Sequence, residues 1–213
     1  MNLLIMGAPG AGKGTMSEKI VAKYNVAHVS TGDILRAAIK ENSALGLEAK
    51  KYMDEGKLVP DELINDIVKE RLNAEDMKNG WLMDGYPRTA EQAATFEKML
   101  NEIGQHVDAV IKLAVDEQSL IKRITGRRIC PNCKAVYHIE TKKPQVDGVC
   151  DECHTELVQR KDDNEEALKV RLDAYNSQFG GIEKIYAAKG LVKEVNANQD
   201  PSNVFADIEK VLG

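Results

Sequence analysis

The sequence predicts an α/β fold in which a five-stranded parallel sheet is flanked by helices. Short aliphatic runs alternate along the chain with segments of helical periodicity, which is the pattern of strands joined by helical crossovers. Aromatic residues make up only 5% of the chain and charged residues 30%, which suits aliphatic strands covered by amphipathic helices. With 213 residues, 43% of them hydrophobic, the chain can bury one main core and carry small insertions.

Five aliphatic runs are the predicted strands of this sheet. They lie at residues 3–6, 27–30, 81–84, 109–113 and 192–196. The intervening and following segments have helical periodicity, at 13–23, 32–40, 43–55, 61–73, 89–103, 117–125, 164–187 and 202–212. Start signals support several of these helices, among them a partial capping box that begins at Thr89 and a proline, Pro201, at a first helical position.

A glycine-rich turn directly follows the first predicted strand. Residues 7–15 read Gly-Ala-Pro-Gly-Ala-Gly-Lys-Gly-Thr. The glycines allow successive backbone N–H groups to face one oxyanion, and Lys13 adds a positive charge where the next helix presents its N-terminus. The pattern therefore predicts a phosphate-binding loop and a nucleotide site. The hydroxyl group stands at Thr15 rather than directly after the lysine, which leaves open whether it ligates magnesium.

The net charge and the hydropathy pattern weigh against nucleic-acid and membrane functions. A formal net charge of −5 offers no general attraction to nucleic acid. No run approaches the ~20 consecutive apolar residues of a membrane span. The N-terminal apolar stretch has no basic residue before it, so it indicates a buried strand rather than a signal peptide. We therefore expect a soluble, cytoplasmic protein.

All four cysteines lie in one stretch without helical periodicity, residues 127–163. They form two CxxC pairs, Cys130 with Cys133 and Cys150 with Cys153. This spacing is typical of a zinc ribbon, in which four thiolates enclose a structural ion. So short a segment buries too little apolar surface to fold alone, and metal binding would supply much of its folding free energy. Unpaired buried cysteines and a redox role are the alternatives, and iron or cobalt could replace zinc.

Polar and cationic residues follow two further strand ends. The segments 30–36 and 84–88 both come directly after predicted strands, at the edge where α/β sheets bind ligands. Asp84, at the end of its strand, has the location of a carboxylate that orients magnesium. Each arginine taken alone could be a solvated surface charge, but this placement favours phosphate binding.

Across its whole length the chain resembles bacterial adenylate kinases with a long, zinc-binding lid. The resemblance rests on residues 7–15, on Ser30-Thr31-Gly32-Asp33 with Arg36, on Asp84-Gly85-Tyr86-Pro87-Arg88 with Gln92, on Gly126-Arg127-Arg128, and on Arg160-Lys161-Asp162-Asp163. It implies a P-loop kinase with three parts. These are a core at 1–29, 60–125 and 164–213, a helical insertion at 30–59 that binds the nucleoside monophosphate (NMP), and a zinc-ribbon-like lid at 126–163.

The resemblance also implies a reaction and its site residues. The reaction is the reversible, Mg²⁺-dependent conversion of ATP and AMP to two ADP by a monomer, which maintains the adenine nucleotide balance. ATP would contact Gly10, Ala11, Gly12, Lys13, Gly14, Thr15, Arg123, Arg127, Val136, Tyr137 and Gln199. AMP would contact Thr31, Arg36, Lys57, Leu58, Val59, Gly85, Tyr86, Pro87, Arg88, Gln92, Arg160 and Arg171. The catalytic cations would be Lys13, Arg88, Arg127, Arg160 and Arg171, with Asp84 on magnesium through water and the four cysteines on zinc.

Two kinds of alternative remain at this point. Another nucleoside monophosphate, or GTP as donor, would keep the kinase class. A P-loop switch with a nucleic-acid-binding zinc ribbon would change it, and seven Lys and Arg residues against the single acid Glu140 over 122–143 motivate that alternative. Against it are the acidic net charge and the presence of only one aromatic residue in the ribbon, Tyr137.

Overall fold

Strands and helices alternate along the chain in the computed structural model, which describes every residue, Met1–Gly213. The strands are β1 (Asn2–Gly7), β2 (Ala27–Ser30), β3 (Trp81–Asp84), β4 (Ala109–Ala114), β5 (Arg127–Ile129), β6 (Val136–His138) and β7 (Val192–Asn196). The α-helices are α1 (Lys13–Tyr24), α2 (Thr31–Lys40), α3 (Ala44–Met53), α4 (Asp61–Leu72), α5 (Ala90–Glu102), α6 (Glu117–Thr125), α7 (Glu165–Ala187) and α8 (Pro201–Leu212). A 3₁₀ helix at Glu75–Asn79 was not predicted.

Five parallel strands form the central sheet, in the order β2, β3, β1, β4, β7. This confirms the predicted five-stranded parallel sheet flanked by helices. The register brings the carboxyl ends of three strands together, because Asp84 pairs with Ser30 on one side and with Ile5 on the other. Ligands of such sheets bind at this edge, just beyond the last strand residues.

The core lies on both faces of the sheet, and β1 shows how the sequence places it there. Leu3 and Ile5 pack into one hydrophobic cluster, while Leu4 and Met6 pack into the other. Successive strand residues point to opposite faces, so a run that is apolar at every position indicates a strand covered on both sides. Burial of β1 on both faces fixes the start of the glycine-rich turn that follows it.

Side chains cap several helices, two of them where the sequence showed start signals. The Thr89 hydroxyl accepts a hydrogen bond from the backbone N–H of Gln92 at the start of α5. Asp200 caps α8, and Pro201 is its first residue. Ser43 begins α3 in the same manner, by accepting from the N–H of Gly46. The caps of α5 and α8 hold the helix starts that follow β3 and β7 at the carboxyl edge of the sheet.

The cysteine-bearing segment contains a small sheet of its own. β5 and β6 pair antiparallel, with Arg127 opposite His138. Isolated bridges join Ile129 to Val158 and Val149 to Glu156. The sequence indicated an insertion here but not these strands, because strands of three residues are too short to show a periodicity. No helix of the molecule combines the length and the apolar character that crossing a membrane requires.

Candidate active site

The predicted phosphate-binding loop joins β1 to α1 at the carboxyl edge of the sheet. Gly10 and Gly12 adopt φ values of +86° and +97°, which favour glycine. A Cβ at Gly10 would lie 3.0 Å from the side chain of Ile124 and 3.1 Å from the carbonyl oxygen of Leu120, so α6 packs directly against the loop. No side chain caps the N-terminus of α1, which leaves its first N–H groups available to an anion.

Lys13 folds back over this loop. Its Nζ donates hydrogen bonds to the carbonyl oxygens of Gly7, at 2.7 Å, and Ala8, at 3.1 Å. Burial lowers the pKa of Lys13 to about 8, with Asp84 opposing the shift and Arg88 adding to it. The ammonium group is thus held at the loop in a position where it has lost water and has no carboxylate partner of its own. An arriving phosphate would supply the missing negative charge.

Further cations line the same cleft, whose volume is about 990 Å³. Burial and the nearby Arg171 together lower the pKa of Arg88 to about 10. Burial also lowers the pKa of Arg160 to about 10, and Arg36 adds to the effect. Cations that depress one another's pKa in a cleft form a site for a polyanion, because a bound phosphate chain would relieve both the burial and the repulsion. The cations that line the cleft include Lys13, Arg36, Arg88, Arg123, Arg127, Arg160 and Arg171.

Three aspartates hold most of these arginines in place. Asp163, which is 1% exposed, accepts from Arg127 Nε at 2.9 Å and from a second guanidinium nitrogen. Asp162 pairs with Arg171 at 2.9 Å. Asp33 pairs with Arg36 at 2.6 Å and lies 3.6 Å from Arg160. Asp84, by contrast, faces the cleft without an ion pair, at the end of β3.

A smaller pocket continues the cleft towards α2, α3 and α4. It is lined by nine of the twelve residues predicted for the monophosphate, namely Thr31, Arg36, Lys57, Leu58, Val59, Gly85, Arg88, Gln92 and Arg171. The other three, Tyr86, Pro87 and Arg160, line the main cleft. The residues that line both the main cleft and the smaller pocket include Arg36, Gly85, Arg88 and Arg171. The arginines therefore lie where the two binding spaces meet.

Comparison with known proteins identifies the family. The family model described as "Adenylate kinase" matches residues 5–191. The chain is 51% identical over 213 residues to the adenylate kinase of a Geobacillus species, and 49% identical to those of Bacillus cytotoxicus and Bacillus cereus. Each alignment covers 100% of this chain and 99% of the relative.

The chain belongs to the adenylate kinase family. It is therefore a nucleoside monophosphate kinase, a phosphotransferase, and the resemblance read from its motifs is confirmed. The nucleic-acid-binding switch finds no support in these matches.

At the far end of the cleft, the adenylate kinase fold brings together the residues predicted for the adenosine of ATP. Arg123 donates to the carbonyl oxygens of Ala11, at 3.3 Å, and Ala197, at 2.7 Å, and so ties the loop to the end of β7. Gln199 and Val136 line the same end of the cleft. Tyr137 also lines it, but its hydroxyl accepts from the N–H of Asp151 at 2.9 Å and lies 3.6 Å from the Cys150 sulfur.

The four cysteines form one cluster in which all sulfur atoms lie within 4.8 Å of one another. The nearest pairs are Cys130 with Cys153, at 3.3 Å, and Cys133 with Cys150, at 3.5 Å, well beyond a disulfide bond. The two CxxC turns have the same backbone hydrogen bonds: the residue after each second cysteine, Lys134 or His154, has positive φ and donates its N–H to the carbonyl of the first. Four thiol groups in two matched turns fit a tetrahedral zinc ion.

The sequence did not predict which acidic residues pair with the arginines, nor that Asp61 contacts Thr89 and Gln92. Asp162 and Asp163 were quoted as part of a motif, but nothing in the sequence assigned each to an arginine, because the pairings span nine and 36 positions. Asp61 begins α4, and nothing in the sequence indicated a role beyond that. In the fold it also contacts Thr89 and Gln92 on α5. Only the tertiary structure brings these groups together.

Proposed function

We propose that this chain transfers the terminal phosphoryl group of ATP to AMP, reversibly, and that the cationic cleft is the site of transfer. The observation that carries the proposal is the convergence of the phosphate-binding loop and the arginines on the place where the two binding spaces meet. Membership of the adenylate kinase family supports the same reaction.

In this proposal ATP lies in the main cleft. Its phosphates rest on residues 10–15 and Lys13, whose free N–H groups and ammonium group face the cleft. Arg123, Gln199, Val136 and Tyr137 surround the adenosine at the far end. Mg²⁺, bound with ATP, would supply charge neutralisation on the phosphates. Asp84 suits a water-mediated contact with it, because its carboxylate faces the cleft beside Lys13 without an ion pair of its own.

AMP lies in the smaller pocket, with its phosphate towards the shared arginines. Arg36 and Arg88 reach that phosphate from the pocket side, and Arg171 from α7. Gln92 and Thr31 line the pocket away from the main cleft and suit the adenine. The segment 57–59 forms the wall between α3 and α4. This arrangement places the acceptor oxygen and the donor phosphate end to end.

The chemistry needs no protein nucleophile. Phosphoryl transfer between oxygens depends on alignment and on stabilising the charge that spreads over the transferring group. Lys13, Arg88, Arg127, Arg160 and Arg171 meet that charge from several directions. Aligning the two reactants can be worth ~7–11 kcal/mol, which exceeds any single arginine contact in an open cleft. Exclusion of water from the closed cleft would prevent hydrolysis of ATP.

We propose that residues 126–163 are a movable lid and that residues 30–59 form the second movable part. The lid supplies Arg127 and Arg160, and the family resemblance gives both parts this role. A zinc ion on the four cysteines would hold the lid rigid, so that its arginines arrive together. We further propose that the protein works as a cytoplasmic monomer, since a cleft that encloses both substrates needs no partner subunit.

A coupled assay of ADP formation tests the proposal. ATP is supplied with AMP, UMP, CMP or GMP as acceptor, and AMP is then tested with GTP as donor. We expect rapid ADP formation with ATP and AMP and much slower reaction with the other acceptors. Preference for a pyrimidine monophosphate, or ATP turnover with water alone, would overturn the proposal. The donor comparison decides between ATP and GTP, which the residues alone leave open.

A further inference from the structure

The side-chain amide of Gln92 is fixed in one orientation by two neighbours. Its Oε1 accepts a hydrogen bond from the backbone N–H of Arg88 at 2.7 Å. Its Nε2 donates to Oδ1 of Asp61 at 2.7 Å. Gln92 is 2% exposed, so water does not compete for these groups. A backbone N–H can only donate and a carboxylate can only accept, so each neighbour requires a different end of the amide.

Asp61 is itself fixed by Thr89. The Thr89 hydroxyl accepts from the backbone N–H of Gln92 at 3.0 Å and donates to Oδ2 of Asp61 at 3.0 Å. Both carboxylate oxygens of Asp61 therefore accept a hydrogen bond, one from the N-cap residue Thr89 and one from Gln92 in the first turn of α5. Asp61 is the first residue of α4. Its two hydrogen bonds therefore join the start of α4 to the start of α5.

Reversing the Gln92 amide would be costly. It would set the NH₂ group against the N–H of Arg88 and the carbonyl oxygen against the carboxylate of Asp61, leaving four groups without a partner. A glutamine amide has two N–H donors and two acceptor lone pairs. One N–H and one lone pair therefore remain for a ligand, with the donor on the Asp61 side and the acceptor on the Arg88 side. Gln92 lines the smaller pocket, where a ligand would meet them.

We propose that Asp61 is a positioning residue that selects a 6-aminopurine over a 6-oxopurine in the smaller pocket, by fixing the orientation of the Gln92 amide. The inference rests on the proposed function, in which this pocket holds the base of the acceptor. A 6-aminopurine presents a donor at its 6-amino group beside an acceptor at N1, which complements the free acceptor and donor of the fixed amide. A 6-oxopurine presents the reverse pattern and would need the amide to turn over.

The test compares two acceptors that differ at position 6. ADP formation from ATP is measured with AMP and with inosine monophosphate (IMP), and kcat/KM is determined for each. In Asp61→Ala we expect the AMP to IMP ratio of kcat/KM to fall by about tenfold, because only the Arg88 N–H then opposes reversal of the amide. KM for AMP should rise, while KM for ATP and kcat at saturating AMP change little.

Asp61 also begins α4, so an effect on the stability of this helix must be distinguished from an effect on the orientation of the Gln92 amide. Glu62→Ala is the matched control, because Glu62 is the exposed neighbour in the same helical turn and is not involved in any hydrogen bond to Gln92. We expect it to leave the ratio unchanged. Asp61→Asn should largely restore the ratio, because its carboxamide oxygen can accept from Gln92 Nε2. If Asp61→Ala does not fold, Asp61→Ser takes its place, since serine suits a helix start but is too short to reach Gln92.

A double variant completes the test. In a Gln92→Ala background, Asp61→Ala should no longer change the ratio, since the group that Asp61 orients is gone. A ratio that stays at the wild-type value in Asp61→Ala and in Asp61→Ser overturns the inference but leaves the proposed function intact. A wild-type enzyme that uses AMP and IMP equally well overturns the proposed acceptor together with the inference.

Discussion

The charge state of Lys13 links the structure of the loop to its function. The ammonium group contacts only carbonyl oxygens and lies among arginines, so the empty site disfavours its charged form. A bound phosphate chain reverses this balance, because the chain supplies negative charge at the place where the cations repel one another. The same reasoning applies to Arg88 and Arg160, whose pKa values burial lowers to about 10.

The pH dependence of ATP capture follows from the lowered pKa of Lys13. Since burial lowers this pKa to about 8, the free enzyme loses the ammonium charge as the pH rises through 8. We expect kcat/KM for ATP to fall about tenfold per pH unit above that point, whereas kcat stays level to higher pH because bound phosphate raises the pKa again. Steady-state rates from pH 6 to 10 check this. A level kcat/KM up to pH 10 would contradict the expectation.

At the scale of elements, two helices of the predicted monophosphate-binding region pack backbone against backbone. A Cβ at Gly46, in α3, would lie 2.1 Å from the carbonyl oxygen of Ala38, in α2. No side chain fits at this contact, so the two helices touch only because residue 46 is glycine. A Cβ at Gly180, in α7, would have no heavy atom within 4 Å, so alanine fits there.

The pair Gly46→Ala and Gly180→Ala tests this packing. Gly46→Ala should lower the free energy of unfolding by about 1–3 kcal/mol, because α2 and α3 must separate. It should also raise KM for AMP more than KM for ATP. Gly180→Ala should raise the free energy of unfolding by up to about 1 kcal/mol, since alanine favours an exposed helix. Denaturant unfolding and steady-state kinetics measure both. If both variants changed the free energy of unfolding equally, the close contact between α2 and α3 at Gly46 would be contradicted.

We expect the cysteine-bearing segment to depend on its cysteines for stability. Its hydrophobic cluster contains five buried residues, and two of them are Cys130 and Cys150. Because so small a cluster buries little apolar surface, we expect a metal ion on the four thiols to hold the two CxxC turns and the short sheet together. Without the ion, we expect Arg127 and Arg160 to lose their positions before the core unfolds.

Replacing Cys130 and Cys133 by serine tests the metal site. We expect the double variant to bind no zinc and to melt at a lower temperature than the wild type. Well below its melting temperature, it should keep part of its activity. Metal analysis and thermal melting measure these effects. Val146→Ser is the control, because Val146 is exposed in the same segment and lies outside the cluster. A zinc-free variant with the wild-type melting temperature would show that the site has no structural role.

At the scale of the whole molecule, the sequence predicted the features that depend on local residue patterns and on the order of elements along the chain. The five strands follow from aliphatic runs such as 3–6, and the position of the loop follows from the glycines directly after β1. Contacts between distant segments could not be predicted in this way. Arg127 with Asp163 and Gln92 with Asp61 are 36 and 31 residues apart, and no periodicity connects them. The sequence thus indicated the members of the site, but their pairing depends on tertiary packing.

The central claim is that two nucleotides lie end to end in one cationic cleft. The contact of Arg160 with Asp33, at 3.6 Å, already joins the predicted lid to the predicted monophosphate-binding region across this cleft. A molecule that occupies both spaces at once should therefore bind more tightly than either nucleotide alone, because its two halves are already joined.

The most direct test is inhibition by two adenosines joined through a chain of five phosphates. We predict inhibition that is competitive against ATP and also against AMP, with an affinity above that of either substrate. Initial rates with each substrate varied in turn provide the measurement. Competition against only one of the two nucleotides would contradict the claim that both lie end to end in the same cleft.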